Sequence, residues 1–253
     1  MDKRLLLATK IAKIAGDRVR DKYFTKSVPF KVKNDHSLVT EADYEANKII
    51  INAIKKSFPQ DDIVSEESIQ KKKGSSHIWY IDPIDGTSNF VMGLDLWGVS
   101  IGITRNGRPY AGAIYLPPQK LLFIAQMGKG SFLNGKRFRA KRRKEPQVIC
   151  ITRGRSKEAR KRSMIAYKLL NKTSLTVRML GSAVVELVLL AQGKTDFGIF
   201  MGQKPWDLAA GLVIAREAGV AIKKLDKKDS FDGDYLLATS RYMQKYAEKL
   251  LDI

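Results

Sequence analysis

The sequence predicts an α+β fold, with helices and strands mixed through the chain, on three observations. Apolar residues recur at helical spacing in some segments and form short continuous runs in others. Two of those runs are joined by Asn106-Gly107, a strong hairpin signal. The 253 residues contain no internal repeat and no low-complexity linker, and 44% of them are hydrophobic. That is enough chain for a sizeable core, read here as one compact unit of two halves, residues 1–145 and 146–253.

Residues 4–24 read as the first helix, because Leu7, Ile11, Ile14, Ala15 and Val19 fall near helical spacing. A second helix covers 40–58, with Ala42, Ala46, Ile49, Ile50, Ala53 and Ile54 as its stripe and Pro59 as its stop. A short strand at 78–81 ends at Asp82-Pro83. Residues 99–104, 109–115 and 121–126 read as three further strands; Asn106-Gly107 turns between the first two, and Pro117-Pro118 separates the next pair. The charge run at 136–144, KRFRAKRRK, reads as a solvated loop. The second half opens with a strand at 148–152. A basic helix at 157–170, an apolar helix at 182–191, a strand at 196–200, a helix at 206–219 closed by Gly219 and a terminal helix at 242–251 follow.

Cys150 is the only cysteine, so no internal disulfide can form and a reducing compartment is expected; its apolar neighbours place it in the core rather than at a reaction centre. The N-terminal apolar run, Leu5 to Ala8, is too short for a signal peptide, and nowhere do about 18 apolar residues run together. A soluble cytoplasmic protein is expected. The net charge of +20 draws anions, whether nucleic acid, membrane surfaces or phosphorylated metabolites, or else simply solvates the exterior.

Four segments are read together for chemistry: Ser65-Glu66-Glu67-Ser68, residues 79–90 (WYIDPIDGTSNF), the turn Leu180-Gly181-Ser182-Ala183, and residues 205–211 (PWDLAAG). Asp82 stands at the end of an apolar strand and Asp85 follows three residues later. Two carboxylates that close repel unless a cation neutralises them, and hard cations such as Mg²⁺ take oxygen ligands. Gly86, Thr87 and Ser88 come next: a glycine lets the backbone approach an anion, and the amides after it can open a helix, whose N-terminus binds phosphate. Metal and phosphate sites are thus contiguous, as phosphate hydrolysis requires. Asp207, after Trp206, starts a helix with an Ala-rich face; by itself it would be an N-cap.

Four ordered motifs, LVTEAD at residues 38–43, SEES, DPIDGTSNF and WDLAAG, resemble the inositol monophosphatase family over nearly the whole chain. The resemblance implies a layered αβαβα sandwich of the sugar-phosphatase type, a homodimer, two or three Mg²⁺ ions per subunit and inhibition by Li⁺. It implies that Glu66, Asp82 and the carbonyl of Ile84 hold one metal ion, and that Asp82, Asp85 and Asp207 hold a second. Asp43 and Thr87 would position the attacking water, and Glu66 would share in catalysis. Gly86, Thr87 and Ser88 would bind phosphate, with Gly181, Ser182 and Ala183 beside the polyol and Lys33 near a further metal or the phosphate. The implied reaction is in-line attack by a metal-activated water, with no phosphoenzyme. His36 and His77, the only histidines, lie outside these motifs.

Two positions depart from the family pattern. Ser37 stands where an acid commonly precedes LVT, and Phe200 where inositol-preferring members carry a glutamate that binds hydroxyls. Lys204 could instead meet a second phosphate. The expected activity is therefore hydrolysis of a small phosphorylated polyol or sugar, inositol 1-phosphate or fructose 1,6-bisphosphate. The alternatives are a 3′-phosphoadenosine 5′-phosphate phosphatase and a basic nucleic-acid-binding or regulatory protein on the same fold. The basic runs at 71–73, 136–144 and 153–162 motivate the last, although they hold only one aromatic residue, Phe138, for base stacking.

Overall fold

The computed structural model describes residues 1–24, 27–68, 70, 73–226 and 233–251; Lys71 and Lys72 of the first basic run lie outside them. Helix α1 (Lys3–Val19) is capped by Asp2, which accepts the Arg4 N–H at 2.7 Å, and its last turn widens into a π-helix over Arg20–Phe24. Strands β1 (Phe30–Val32) and β2 (Leu38–Thr40) pair antiparallel and lead into α2 (Glu41–Ser57).

Seven strands then form one sheet in chain order: β3 (Asp62–Ser65), β4 (His77–Asp85), β5 (Gly98–Arg105), β6 (Arg108–Leu116), β7 (Leu121–Gln126), β8 (Gly130–Leu133) and β9 (Lys136–Phe138). Only β3 and β4 are parallel. The short helix α3 (Thr87–Val91) follows β4. At the β5–β6 hairpin, Asn106 and Gly107 both take positive φ, as the Asn-Gly signal requires.

The second sheet has the order β11-β10-β12-β14-β13, from β10 (Val148–Thr152), β11 (Thr176–Arg178), β12 (Phe197–Gln203), β13 (Ala221–Lys224) and β14 (Gly233–Ala238). Its first three strands are parallel, and β14 and β13 are antiparallel to their neighbours. The remaining helices are α4 (Lys157–Leu170), α5 (Ala183–Ala191), α6 (Pro205–Glu217) and α7 (Arg241–Leu251).

The elements stack in five layers, as expected. Helices α1 and α2 cover one face of the seven-stranded sheet, α5 and α6 fill the space between the sheets, and α4 and α7 cover the far face of the second sheet. The amphipathic outer helices keep a wet face, whereas α5 and α6 are buried nearly all round. Helix α6 lies unusually close to the first sheet. A Cβ on Gly102 of β5 would stand 2.3 Å from the Ala209 Cβ, and one on Gly112 of β6 would stand 2.6 Å from the Ala210 Cα. Ser100 of β5 adds a hydrogen bond from its hydroxyl to the Trp206 carbonyl at 3.3 Å.

The basic run at 136–144 is mostly exposed, as a solvated run is, but it is not a free loop throughout. Its first three residues are β9, and the rest is fastened to the ends of the middle helices. The Ala140 N–H donates to the Ala218 carbonyl at 3.0 Å and the Lys141 N–H to the Gln192 carbonyl at 3.2 Å. These bonds satisfy carbonyls that a helix C-terminus leaves open. Arg143 pairs with the buried Asp196 at 3.0 Å.

Candidate active site

Three acids converge at the N-terminal end of α6. Glu66 follows β3, and its N–H donates to the Ile81 carbonyl at 3.1 Å, which holds it beside β4. Asp82 and Asp85 belong to β4. Three residues apart, they would ordinarily face opposite sides of the sheet. Their partners on β5, Ser100 and Gly98, are only two apart, so β4 carries one extra residue. That bulge turns both carboxylates toward α5 and α6, and Pro83, with no N–H to give, sits inside it. Asp207 stands in the first turn of α6 and accepts the Lys204 N–H at 2.8 Å. One carboxylate oxygen each from Glu66, Asp82 and Asp207 lies within 4.8 Å of the others.

Burial pushes the Asp82 carboxyl well above the usual range, and the charges of Glu66, Asp85 and Asp207 add to the push. Burial raises Asp207 too, against the pull of Arg155. Glu66 moves the other way: burial favours its neutral form, but the Arg155 and Lys33 charges together outweigh that. Arg155 Nη1 lies 2.7 Å and Lys33 Nζ 3.0 Å from the same Glu66 oxygen, and Lys33 also binds Glu67. Of the three converging acids, only Glu66 is ion-paired with the chain's own cations. Asp82 Oδ2 and Asp207 Oδ1 are buried with no hydrogen-bond partner. Such orphaned carboxylate oxygens are costly unless a cation meets them, and an all-oxygen anionic donor set fits Mg²⁺.

Four helix N-termini point into the same space, which eases the crowding of negative charge and favours an anionic ligand. On α2, the Asp43 carboxylate accepts from the Thr40 N–H at 2.8 Å and hydroxyl at 2.6 Å, and its second oxygen accepts from the Thr87 hydroxyl at 3.2 Å. Burial raises the Asp43 carboxyl to about 6. On α3, Gly86 takes φ +90°, and a Cβ there would stand 2.8 Å from the Leu96 carbonyl oxygen, so only glycine fits the turn. The amides after it are those that a helix leaves open. On α5, the Ser182 hydroxyl donates to the Asp85 carboxylate, which also accepts the Val184 N–H at 3.0 Å. Asp207 heads α6.

These groups line a cavity of about 530 Å³. Gly86, Thr87, Ser88, Gly181, Ser182, Ala183, Asp85 and Asp207 line it together with Arg153, Arg155 and Arg160. Asp43 adjoins the lining through Thr87, Glu66 and Asp82 adjoin it through Asp207, and the Ile84 carbonyl is 3.0 Å from the Thr87 hydroxyl. Lys204 lines an adjoining cavity of about 1040 Å³, which shares Arg155, Arg160 and Gln203 with the first. Ser37 hydrogen-bonds to Asp35 at the mouth, and His36 lines both cavities. Phe200 is fully buried in the core between the sheets. His77 begins β4, and the Cys150 thiol is buried and pushed up to about 12.

Four site residues escaped the sequence reading. Arg153, Arg155 and Arg160 are cations in a basic run; the partner of Arg155, Glu66, is 89 residues away, so nothing local marks it. Glu186 did carry a signal, as the one charge in AVVELVLLA. Its Oε1 accepts the Leu180 N–H at 2.7 Å, holding the turn before α5, and burial pushes its carboxyl up to about 8.

Comparison with known proteins agrees with this arrangement. A family profile described as the Inositol monophosphatase family matches residues 1–253. The chain is 33% identical over 222 residues to a fructose-1,6-bisphosphatase/inositol-1-monophosphatase of Aquifex aeolicus, covering 86% of this chain and 84% of the relative. It is 34% identical over 225 residues to the Nus factor SuhB of Escherichia coli, covering 87% and 84%. The solved structure of an IMPase from Thermotoga maritima superposes with a TM-score of 0.87 at 27% identity, covering 99% of this chain and 97% of that one.

Proposed function

The chain belongs to the inositol monophosphatase family, and from that premise we propose that it is a Mg²⁺-dependent phosphomonoesterase acting on a small phosphorylated polyol or sugar. The observation that carries the reading is the convergence of Glu66, Asp82 and Asp207, one oxygen of each within 4.8 Å of the others, with an orphaned buried oxygen on both Asp82 and Asp207 and the Gly86 turn lining the same cavity as Asp207. Glu66, Asp82 and Asp207, joined by Asp85 and the Ile84 carbonyl, would hold the cations. Bound there, Mg²⁺ supplies Lewis acidity and neutralises charge on the phosphoryl group.

The chain's own residues do the rest. The Thr87 hydroxyl holds a water on the Asp43 side, and Asp43, raised to about 6, can take its proton near neutral pH. The amides from Gly86 to Ser88 bind the phosphoryl oxygens. Ser182 is bonded to Asp85 and fixes that acid while facing the polyol. Arg153 and Arg160, which also line the cavity, favour a substrate with a second anionic group, which supports fructose 1,6-bisphosphate over inositol 1-phosphate. The adjoining cavity leaves room for the nucleoside of 3′-phosphoadenosine 5′-phosphate. The exposed Met92, Leu94 and Met179 form an apolar border that supports a homodimer, to be measured by light scattering.

The deciding experiment is phosphate release from the three substrates with Mg²⁺, then with added Li⁺. The expected result is turnover abolished by chelation and reduced by Li⁺, with kcat/KM highest for a bisphosphorylated substrate. No release from any of the three overturns the proposal.

A further inference from the structure

At the end of α6 opposite Asp207, three cavities join into one groove. The first, about 480 Å³, shares Arg108, Pro109 and Met127 with the second, about 340 Å³, which shares Arg216 and Ile222 with the third, about 550 Å³. Asp207 and Arg216 belong to the same 13-residue helix and stand about 14 Å apart along it, so the groove is separate from the candidate active site.

We propose that this groove binds single-stranded nucleic acid. Its cations are Arg105, Arg108, Arg142, Arg216 and Arg241, all exposed, and among the described residues no Asp, Glu or Lys lines it. Lysines outnumber arginines in this chain, so an all-arginine lining is not a reflection of composition. Six of the described arginines outside the groove pair with carboxylates: Arg4 with Asp61, Arg18 with Glu45, Arg20 with Asp17 and Asp21, Arg143 with Asp196, Arg155 with Glu66 and Arg162 with Asp234. Among the described residues, Arg108, Arg142, Arg216 and Arg241 have no acidic partner. Unpaired guanidiniums offer forked donors to phosphate oxygens and flat faces to bases.

The floor supplies what a polynucleotide needs besides charge. Pro109, Val213 and Ile222 are apolar, and Tyr242, 64% exposed at the groove's end, presents an open ring for stacking. A flat lipid surface would not reach into a recess. The site is assembled from β5, β6, α6, α7 and the segment after β9, which is why no contiguous basic run revealed it. Of the runs marked in the sequence, Arg143 and Arg162 are bound to acids and Arg153, Arg155 and Arg160 face the other cavity; only Arg142 joins the groove.

The test is fluorescence anisotropy of the full chain with labelled unstructured 12-nucleotide RNA and DNA oligomers at about 50 and about 200 mM KCl. Four phosphate contacts predict an affinity loss of roughly 10- to 50-fold across that range. The Arg142→Glu/Arg216→Glu/Arg241→Glu variant is expected to bind at least about 10-fold more weakly with phosphate release unchanged, and the corresponding glutamine variant to show the same direction without charge reversal. A Lys10→Glu/Lys13→Glu/Lys56→Glu control, equal in charge change, is expected to lose no more than about 3-fold. Melting curves check that each variant is folded. The proposal is overturned if the control loses as much as the groove variant, if the groove variants keep full affinity, or if poly-glutamate or phosphatidylserine vesicles depend on these arginines more than the oligomers do. Preference for RNA or for DNA supports it either way and names the source of the strand.

Discussion

Asp82 and Asp207 each leave one buried oxygen unpartnered, and Asp85 is spoken for by Ser182 and Val184. Asp85→Asn keeps those partners' geometry but removes a charge. It is expected to cut turnover by at least about 100-fold, since even outer-shell changes at metal sites cost 10- to 100-fold. A circular dichroism spectrum like that of the parent protein, with near-normal phosphate release, would show that Asp85 is not a ligand. Glu186 permits a different test. Its folded value, about 8, lies above its ordinary 4.5, so the folded protein keeps a proton that the unfolded chain releases as pH rises. Stability is therefore lost between about pH 4.5 and about pH 8. In metal-free protein, Glu186→Gln should flatten the fall in Tm across that window; an unchanged slope would mean that Glu186 is not the group responsible. At this scale the sequence was informative where a motif packs several roles into a few residues, as from Asp82 to Ser88. It was silent on Arg155, because an ion pair across 89 residues leaves no local trace.

At the scale of elements, the close seat of α6 depends on two glycines. Gly102→Ala places a Cβ 2.3 Å from that of Ala209, with the Ala210 backbone also in the way, so the helix must lift. The expected cost is about 1–3 kcal/mol, read as a Tm lower by roughly 2–4 °C per kcal/mol. Turnover well below Tm should fall at least about 10-fold, because Asp207 moves with its helix and an error of about 1 Å at a site can cost 100-fold. Normal activity in a folded Gly102→Ala protein would separate the helix seat from the chemistry. The helices and the long strands were legible because their periodicity extends over several turns or pleats. Strands β1, β9 and β11 were not, since three largely exposed residues carry no alternation to read. Strand β14 is a fully buried six-residue run, and such runs do not announce their period. The bulge in β4 was equally hidden: the sequence shows a proline between acids, and only the pairing with β5 shows that they face one way.

For the whole molecule, the net charge of +20 sets the expectation. Self-repulsion among like charges opposes the compact state and is screened within about 8–10 Å at ordinary salt. Tm should therefore rise by a few degrees as NaCl goes from about 20 to about 300 mM, despite weakening of the exposed ion pairs. A Tm that falls across that range would mean that specific pairs outweigh the overall field. No helix among the described residues is long and apolar enough to cross a membrane. The five-layer order itself was visible in the sequence through its resemblance to a family, not through composition, since layers arise from contacts between distant segments.

The acids at the head of α6 also bear on the order of events in time. Strands β5 to β9 are successive neighbours joined by short turns, so their pairing closes small loops and can form early. Asp207 reaches Glu66 and Asp82 only after the second half of the chain has packed its helix onto that sheet. A refolding chase on a Trp206→Phe protein, in which the buried Trp79 and Trp97 report on the first sheet, should see fluorescence return before phosphate release does. Catalytic competence would then be the last property the chain acquires, and the interval between the two signals would measure how long the nascent protein exists as a scaffold without an activity.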